Sequence, residues 1–168
     1  MKIAVTGLGF VGLSISTILS VKNKVECYDI DENIINSVNN RQNPIKDRDI
    51  DYFFKNKKLN LTASEDYEAV YKDASFAIIA TPTDYDETVN AFNTSSIEDT
   101  IKKILKVNNA CTIVIKSTIP LGFTEELKAK FCYENIFFSP EFLREGSALY
   151  DNLYPSRIVI GEISDKAK

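Results

Sequence analysis

Histidine and tryptophan are absent from the sequence, and methionine occurs once. Without histidine, acid–base chemistry must rest on carboxylates, hydroxyls, lysines or thiols, and the commonest nitrogen ligand for metals is missing. The three cysteines, Cys27, Cys111 and Cys132, are odd in number and far apart, with no C-x-x-C spacing. This argues against a disulfide framework and a zinc site, and fits reduced thiols in the cytoplasm. No apolar run approaches the roughly 18 residues of a membrane span. The apolar N-terminus, MKIAVTGLGFVGL, lacks the small-residue cleavage site of a signal peptide. No stretch is strongly basic and the net charge is −4, so nucleic acid is not an expected partner.

What remains is an ordinary globular composition, 44% hydrophobic and 26% charged over 168 residues, enough for one domain with a real core. Short β-rich runs alternate with helical stretches. Strands are expected at 2–6, 24–28, 60–63, 75–80, 111–116, 135–138 and 157–160. Helices are expected at 10–20, 31–39, 48–56, 65–72, 95–107 and 123–131, with 81–94 as a loop. In the first helix Val11, Ile15, Ile18 and Leu19 fall on one stripe. Strand–helix alternation with continuously apolar strands predicts an α/β fold: a Rossmann-like, doubly wound, mainly parallel sheet with helices on both faces.

Gly7, Gly9 and Gly12 form G-x-G-x-x-G between the first strand and the first helix, the context that gives this motif meaning. Gly7 permits the tight turn, Gly9 lets a pyrophosphate approach the backbone, and Gly12 lets helix and strand pack closely. Free N–H groups at the helix start, at Phe10 and Val11, then face the phosphates. The second strand ends at Asp29, where a carboxylate accepts from a ribose 2′-OH and repels a 2′-phosphate, favouring NAD over NADP. Asp31 competes for this role but is better placed to cap the next helix.

In open parallel sheets, ligands sit beyond the carboxyl ends of the strands. Three strand ends deliver hydroxyls, prolines and a carboxylate to that edge: Thr81-Pro82-Thr83, Ser117-Thr118-Ile119-Pro120 and Ser139-Pro140-Glu141. The last opens the stretch SPEFLREG. Read as a helix start, Ser139 caps, Pro140 fits the first turn and Glu141 suits the positive end. Glu141 and Glu145 would then share a face and repel. A carboxylate pair beside a nicotinamide can divide acid and base roles between its members, and Arg144 could relieve the repulsion or hold an anion.

The segments KIAVTGLGFVGLS, IIATPT, IKSTIPLGFT and FSPEFLREGSALYDNLYPSRIVIG resemble the N-terminal NAD-binding domain of UDP-glucose 6-dehydrogenases, in order and at the expected spacing. EFLREG is shared with GDP-mannose dehydrogenases, whereas DNLYPSRIVIG points to the UDP-glucose branch. The resemblance implies a double oxidation: the sugar C6 alcohol becomes an aldehyde and then an acid, consuming two NAD, by way of a thiohemiacetal and a thioester on a cysteine in a later domain. It also implies that Gly7 to Gly12 with Val11, Asp29, Thr83, Thr118 and Glu145 contact NAD. Thr81 and Ser117 belong to the same edge. Glu141, Phe142, Leu143, Arg144 and Glu145 would line the UDP-sugar site. Thr118 would help hold a water, and Glu145 would act as base toward it.

Two departures from the resemblance matter. Relatives carry a basic residue near position 34, close to the ribose, where this sequence has Ile34. No glycine-rich, Cys-Pro-Lys-Asp-like stretch is present, and all three cysteines read as small core residues. Residues 1–168 are therefore expected to be the NAD-binding domain of a longer, cytoplasmic enzyme, homodimeric at full length, with UDP-glucose as substrate, no metal, and little turnover by this chain alone. The alternatives are a dehydrogenase of another nucleotide sugar (UDP-N-acetylmannosamine or GDP-mannose) and a stand-alone NAD-binding sensor module.

Overall fold

The computed structural model describes residues 1–87 and 91–163. The chain begins with β1 (Lys2–Thr6), α1 (Phe10–Leu19), β2 (Lys24–Tyr28), α2 (Glu32–Asn39), α3 (Arg48–Asn56), β3 (Leu61–Ser64) and α4 (Tyr67–Tyr71). It continues through β4 (Phe76–Ile79), β5 (Tyr85–Asp86), β6 (Ala91–Phe92), α5 (Ser95–Val107), β7 (Thr112–Ile115), α6 (Phe123–Phe131), β8 (Ile136–Phe138) and α7 (Ala148–Leu153). Six strands pair in the order β3-β2-β1-β4-β7-β8, all parallel, with Ile3 level with Val25 on one side and Phe76 on the other. The order reverses between β1 and β4, which opens a crevice at their carboxyl ends. β5 and β6 form a small antiparallel hairpin inside the stretch read as a loop.

Both faces of the sheet are covered, so its strands are apolar on both sides. Ala4 of β1 points into one layer with Ile97, Ile101 and Ile104 of α5 and Leu127 of α6. Ile3 and Val5 point into the other, with Leu13 of α1, Val38 of α2, Ile50 of α3 and Leu149 of α7. No helix among the described residues is long and apolar enough to cross a membrane.

α1 does not use the stripe its apolar residues define. It turns Gly12, Leu13, Ser16 and Thr17 inward. The hydroxyls of Ser16 and Thr17 donate to the carbonyls of Gly12 (2.6 Å) and Leu13 (2.7 Å), so the small polar face is satisfied inside the helix. Ile15, Ile18 and Leu19 are left half-buried and help wall a cavity against residues 140–143 and 154–158.

Asp47 fastens α7 from a distance. Its side chain, 2% exposed, caps α3 by accepting from the N–H of Asp49 (3.0 Å) and Ile50 (3.3 Å), and its other oxygen accepts from Leu149 N–H (3.0 Å) at the start of α7. Asn152 of α7 adds a bond to Ser14 of α1, 2.8 Å.

Two expected elements are absent. No helix begins at Ser139. The Ser139 N–H donates to Ile115 O (2.9 Å), extending the sheet by one residue, and its hydroxyl accepts from Lys116 (3.1 Å) instead of capping. The chain then runs irregularly to a turn at Glu145-Gly146, where Gly146 has φ +79, and α7 starts at Ala148. Glu141 and Glu145 therefore do not share a helix face. Residues 157–160 form no strand. Ile158, Val159 and Ile160 are exposed, and Gly161 N–H meets Phe138 O beside β8, 2.7 Å.

Candidate functional site

The glycine loop sits at the crevice. Gly7 turns the chain with φ +86 and donates from its N–H to Tyr28 O (3.0 Å). A Cβ on Gly12 would overlap the carbonyl oxygen of Gly7, so α1 can cross the loop only with glycine there. Gly9 differs: it is exposed, and a Cβ built on it meets nothing within 4 Å. That open space lies at the N-terminus of α1, which has no side-chain cap and no acidic residue in its first turn. The N–H groups of Phe10 and Val11 are free there to receive an anion.

Asp29 stands at the rim. Its Oδ2 accepts from Leu8 N–H (2.7 Å) and its Oδ1 from Asp31 N–H (3.0 Å), which aims the carboxylate across the loop and leaves lone pairs on both oxygens. Asp31 caps α2 as expected, accepting from Asn33 N–H. A cavity of about 450 Å³ opens here between Gly7, Gly9, Asp29, Ile34, Pro82 and α5.

On the far side of the loop a second cavity, about 410 Å³, gathers Val11, Thr81, Thr83, Ser117, Thr118 and Glu141. Three strand ends thus meet as the sequence suggested. The Ser117 hydroxyl is already used, donating to Thr81 O (2.7 Å) and tying β4's end to β7's. Thr118 is exposed to the cavity.

Glu141 is partly buried against Lys116, with which it forms an ion pair, the two side chains 13% and 10% exposed. Lys116 is a site residue that the hydroxyls and prolines of the strand ends do not reveal. The signal available was a lysine closing an otherwise apolar strand, at the edge where ligands bind. The pair divides the second cavity from a third, about 380 Å³, lined by Phe142, Leu143 and Arg157 among others. The Arg157 guanidinium lies 4.4 Å over the Phe142 ring.

Arg144 does not stand between the two glutamates. It grips Asp151, Nη2 to Oδ1 at 2.8 Å and Nε to Oδ2 at 3.2 Å, and its side-chain hydrogen bonds hold the Asp151 carboxyl below the usual range. Glu145 is exposed in the turn and lines neither the second nor the third cavity. The structure therefore unites Glu141 with Thr118 and leaves Glu145 outside both cavities.

No thiol lines any of the three cavities. Burial pushes Cys27 up to about 12 and Cys111 up to about 11. Cys132 is exposed, not a core residue, because it caps α6 in a left-handed conformation, φ 48. Since α6 runs back from the carboxyl edge, Cys132 is at the opposite end of the sheet. A disulfide reagent at about pH 8 is expected to titrate only Cys132 in the native protein and all three thiols after denaturation. Rapid native reaction of Cys27 or Cys111 would contradict this burial.

A parallel sheet with this strand order, a glycine loop at its switch point and a carboxylate ending β2 define a Rossmann-type dinucleotide-binding domain. The chain belongs to the UDP-glucose/GDP-mannose dehydrogenase family, whose NAD-binding-domain model matches residues 1–168. It is 53% identical over 168 residues to a UDP-glucose 6-dehydrogenase of Streptococcus pneumoniae, covering all of this chain and 43% of that protein. It is 52% identical over 166 residues to one of Campylobacter jejuni, covering 98% of this chain and 42% of that protein. The UDP-glucose dehydrogenase of Pyrobaculum islandicum superposes with a TM-score of 0.85 at 26% identity, over 99% of this chain and 41% of the other. This chain thus spans less than half the length of these relatives. NAD is the cofactor of the domain, and the open cradle at Gly9 and the free lone pairs of Asp29 fit it.

Proposed function

We propose that this chain supplies the NAD site and one wall of the sugar site of an enzyme that oxidises UDP-glucose to UDP-glucuronate in two steps. The observation that carries the reading is the convergence of Val11, Thr81, Thr83, Thr118 and Glu141 on one cavity beside the glycine loop. Identity above one half to the two UDP-glucose 6-dehydrogenases supports the choice of sugar.

In this reading the backbone N–H groups from Gly9 to Gly12 hold the pyrophosphate and Asp29 accepts from the adenosine ribose. NAD held there would supply the hydride acceptor for the sugar C6. Thr83 and Thr118 orient the nicotinamide half. The segment from Glu141 to Leu143, with Arg144 and Glu145 beyond it, forms the wall for the nucleotide sugar. Thr118 and Glu141 place a water, and Glu145 takes its proton during hydrolysis of the thioester. That last role needs closure of the turn, because Glu145 stands clear of the cavity here. The nucleophilic thiol is assigned to a cysteine outside these 168 residues, since Cys27 and Cys111 are buried and Cys132 lies at the wrong end of the sheet.

The test is turnover by the full-length protein: two NADH per UDP-glucose, with UDP-N-acetylmannosamine and GDP-mannose as competitors. Preference for either competitor would replace the sugar in this reading. The Asp29 geometry makes a separate prediction, that NADH binds at least about tenfold tighter than NADPH. Fluorescence titration reads it, and tighter NADPH binding would remove the role given to Asp29.

A further inference from the structure

The cavity beside Asp29 has one cationic lining residue among those described, Lys103 of α5, and its position is not explained by ion pairing within the chain. Its Nζ donates to the Tyr28 hydroxyl (2.8 Å) and lies 4.8 Å from the Tyr28 ring centroid and 5.5 Å from that of Tyr67. These contacts hold the ammonium in place without neutralising it. Asp99, one turn before Lys103 on α5, lines the same cavity and feels its charge, but the nearby carboxylates make their ion pairs with other lysines. Asp99 pairs with Lys102 (2.8 Å), Glu68 with Lys106 (3.2 Å) and Glu98 with Lys130 (2.6 Å). Asp29 accepts from the loop backbone. Lys103 is half-buried and forms no ion pair among the described residues. A lysine carries three N–H donors, and Tyr28 takes one.

The side of the loop on which Lys103 stands fixes which part of a dinucleotide it would meet. Asp29, Ile30 and Ile34 close β2 and open α2 on this side, where the adenosine belongs. The nicotinamide side, with Thr118 and Glu141, is a separate cavity. Ile30, 86% exposed, and Ile34 offer apolar surface to a purine. Purine ring nitrogens and ribose oxygens are acceptors without a charged protein donor on this wall, other than Lys103.

We propose that Lys103 is a further cofactor-binding residue, donating from α5 to the adenosine half of NAD. The inference rests on the cavity being the dinucleotide site, as read above. It makes α5, and not α2, the source of positive charge at this end of the pocket.

The test uses Lys103→Met, which keeps the aliphatic stem. Titrations of NADH and ADP-ribose against the two proteins are expected to show about a tenfold loss in the variant for both ligands, the size expected for one hydrogen bond from a charged donor. Unchanged ADP-ribose affinity in the variant overturns the role of Lys103 alone. A wild-type protein that binds neither ligand overturns the dinucleotide reading and the inference with it. Acetylation of the wild-type protein, read by mass spectrometry, gives an answer that does not depend on the variant folding. ADP-ribose is expected to slow modification of Lys103 and to leave Lys102 and Lys106 unaffected. Equal rates for Lys103 with and without ADP-ribose, in protein shown to bind it, overturn the proposal.

Discussion

Gly12→Ala is expected to lose about 3 kcal/mol of stability or more, while Gly9→Ala stays folded and loses NAD. The two positions share a motif but not a physical constraint. At Gly12 the added methyl would occupy the space of the Gly7 carbonyl oxygen. Only a shift of α1 against β1 could relieve that overlap, and overpacking in a closed core costs about 1–3 kcal/mol even where side chains can adjust. Here the obstacle is backbone. At Gly9 the methyl meets no protein atom within 4 Å, so the melting temperature should move by no more than about 2 °C. The same methyl points into the space where the pyrophosphate must approach, and NADH affinity should fall by about tenfold or more. Urea denaturation and NADH titration of both variants decide it. Similar stability losses at the two positions would show that the loop is constrained by something other than this overlap.

Lys116→Met should be nearly as damaging, by a different route. The variant leaves the partly buried Glu141 carboxylate, 13% exposed, without its cation. Removing one member of a fully buried pair costs about 3–5 kcal/mol, whereas replacing both by apolar residues is often close to neutral; this pair also faces two cavities, so a loss of about 1–3 kcal/mol is expected. Lys116→Met combined with Glu141→Leu is therefore expected to recover most of the stability lost by the single change. Both variants should impair turnover of the full-length enzyme, since the wall begins at this pair. Thermal or urea unfolding of the wild type, the two single variants and the double variant closes the cycle. A single Lys116→Met variant as stable as the wild type would mean that Glu141 does not depend on Lys116 for its place in the folded protein.

The parts of the fold that follow a period were legible in the sequence. Helices α3, α5 and α6 and the buried strands fell close to their expected limits, because amphipathic spacing and continuous apolar runs report burial directly. The glycine loop was legible because close backbone approach excludes a Cβ at Gly7 and Gly12. SPEFLREG misled because its local signals, a serine, a proline and a glutamate, suit a helix N-terminus. Tertiary partners overrode them. Ser139 and Glu141 are claimed by Lys116, a residue 23 positions earlier than the serine. The apolar run at 157–160 read as a strand because β-branched residues favour one, yet a strand also needs a neighbour to pair with. The α1 stripe is only half-buried for a related reason: glycine, serine and threonine pack closest, and hydropathy patterns do not reward them.

Asp47 gives the site wall an unusual dependence on chain assembly. Its bond to Leu149 joins residues 102 apart in sequence, and Asn152 reaches Ser14 across 138. The glycine loop and Asp29 instead meet across 21. Loops of such different span close at different entropic cost. In a chain emerging from a ribosome, the cofactor cradle can therefore form while α7 is still unsynthesised, and the wall that α7 anchors locks last, onto a helix capped long before by the same carboxylate.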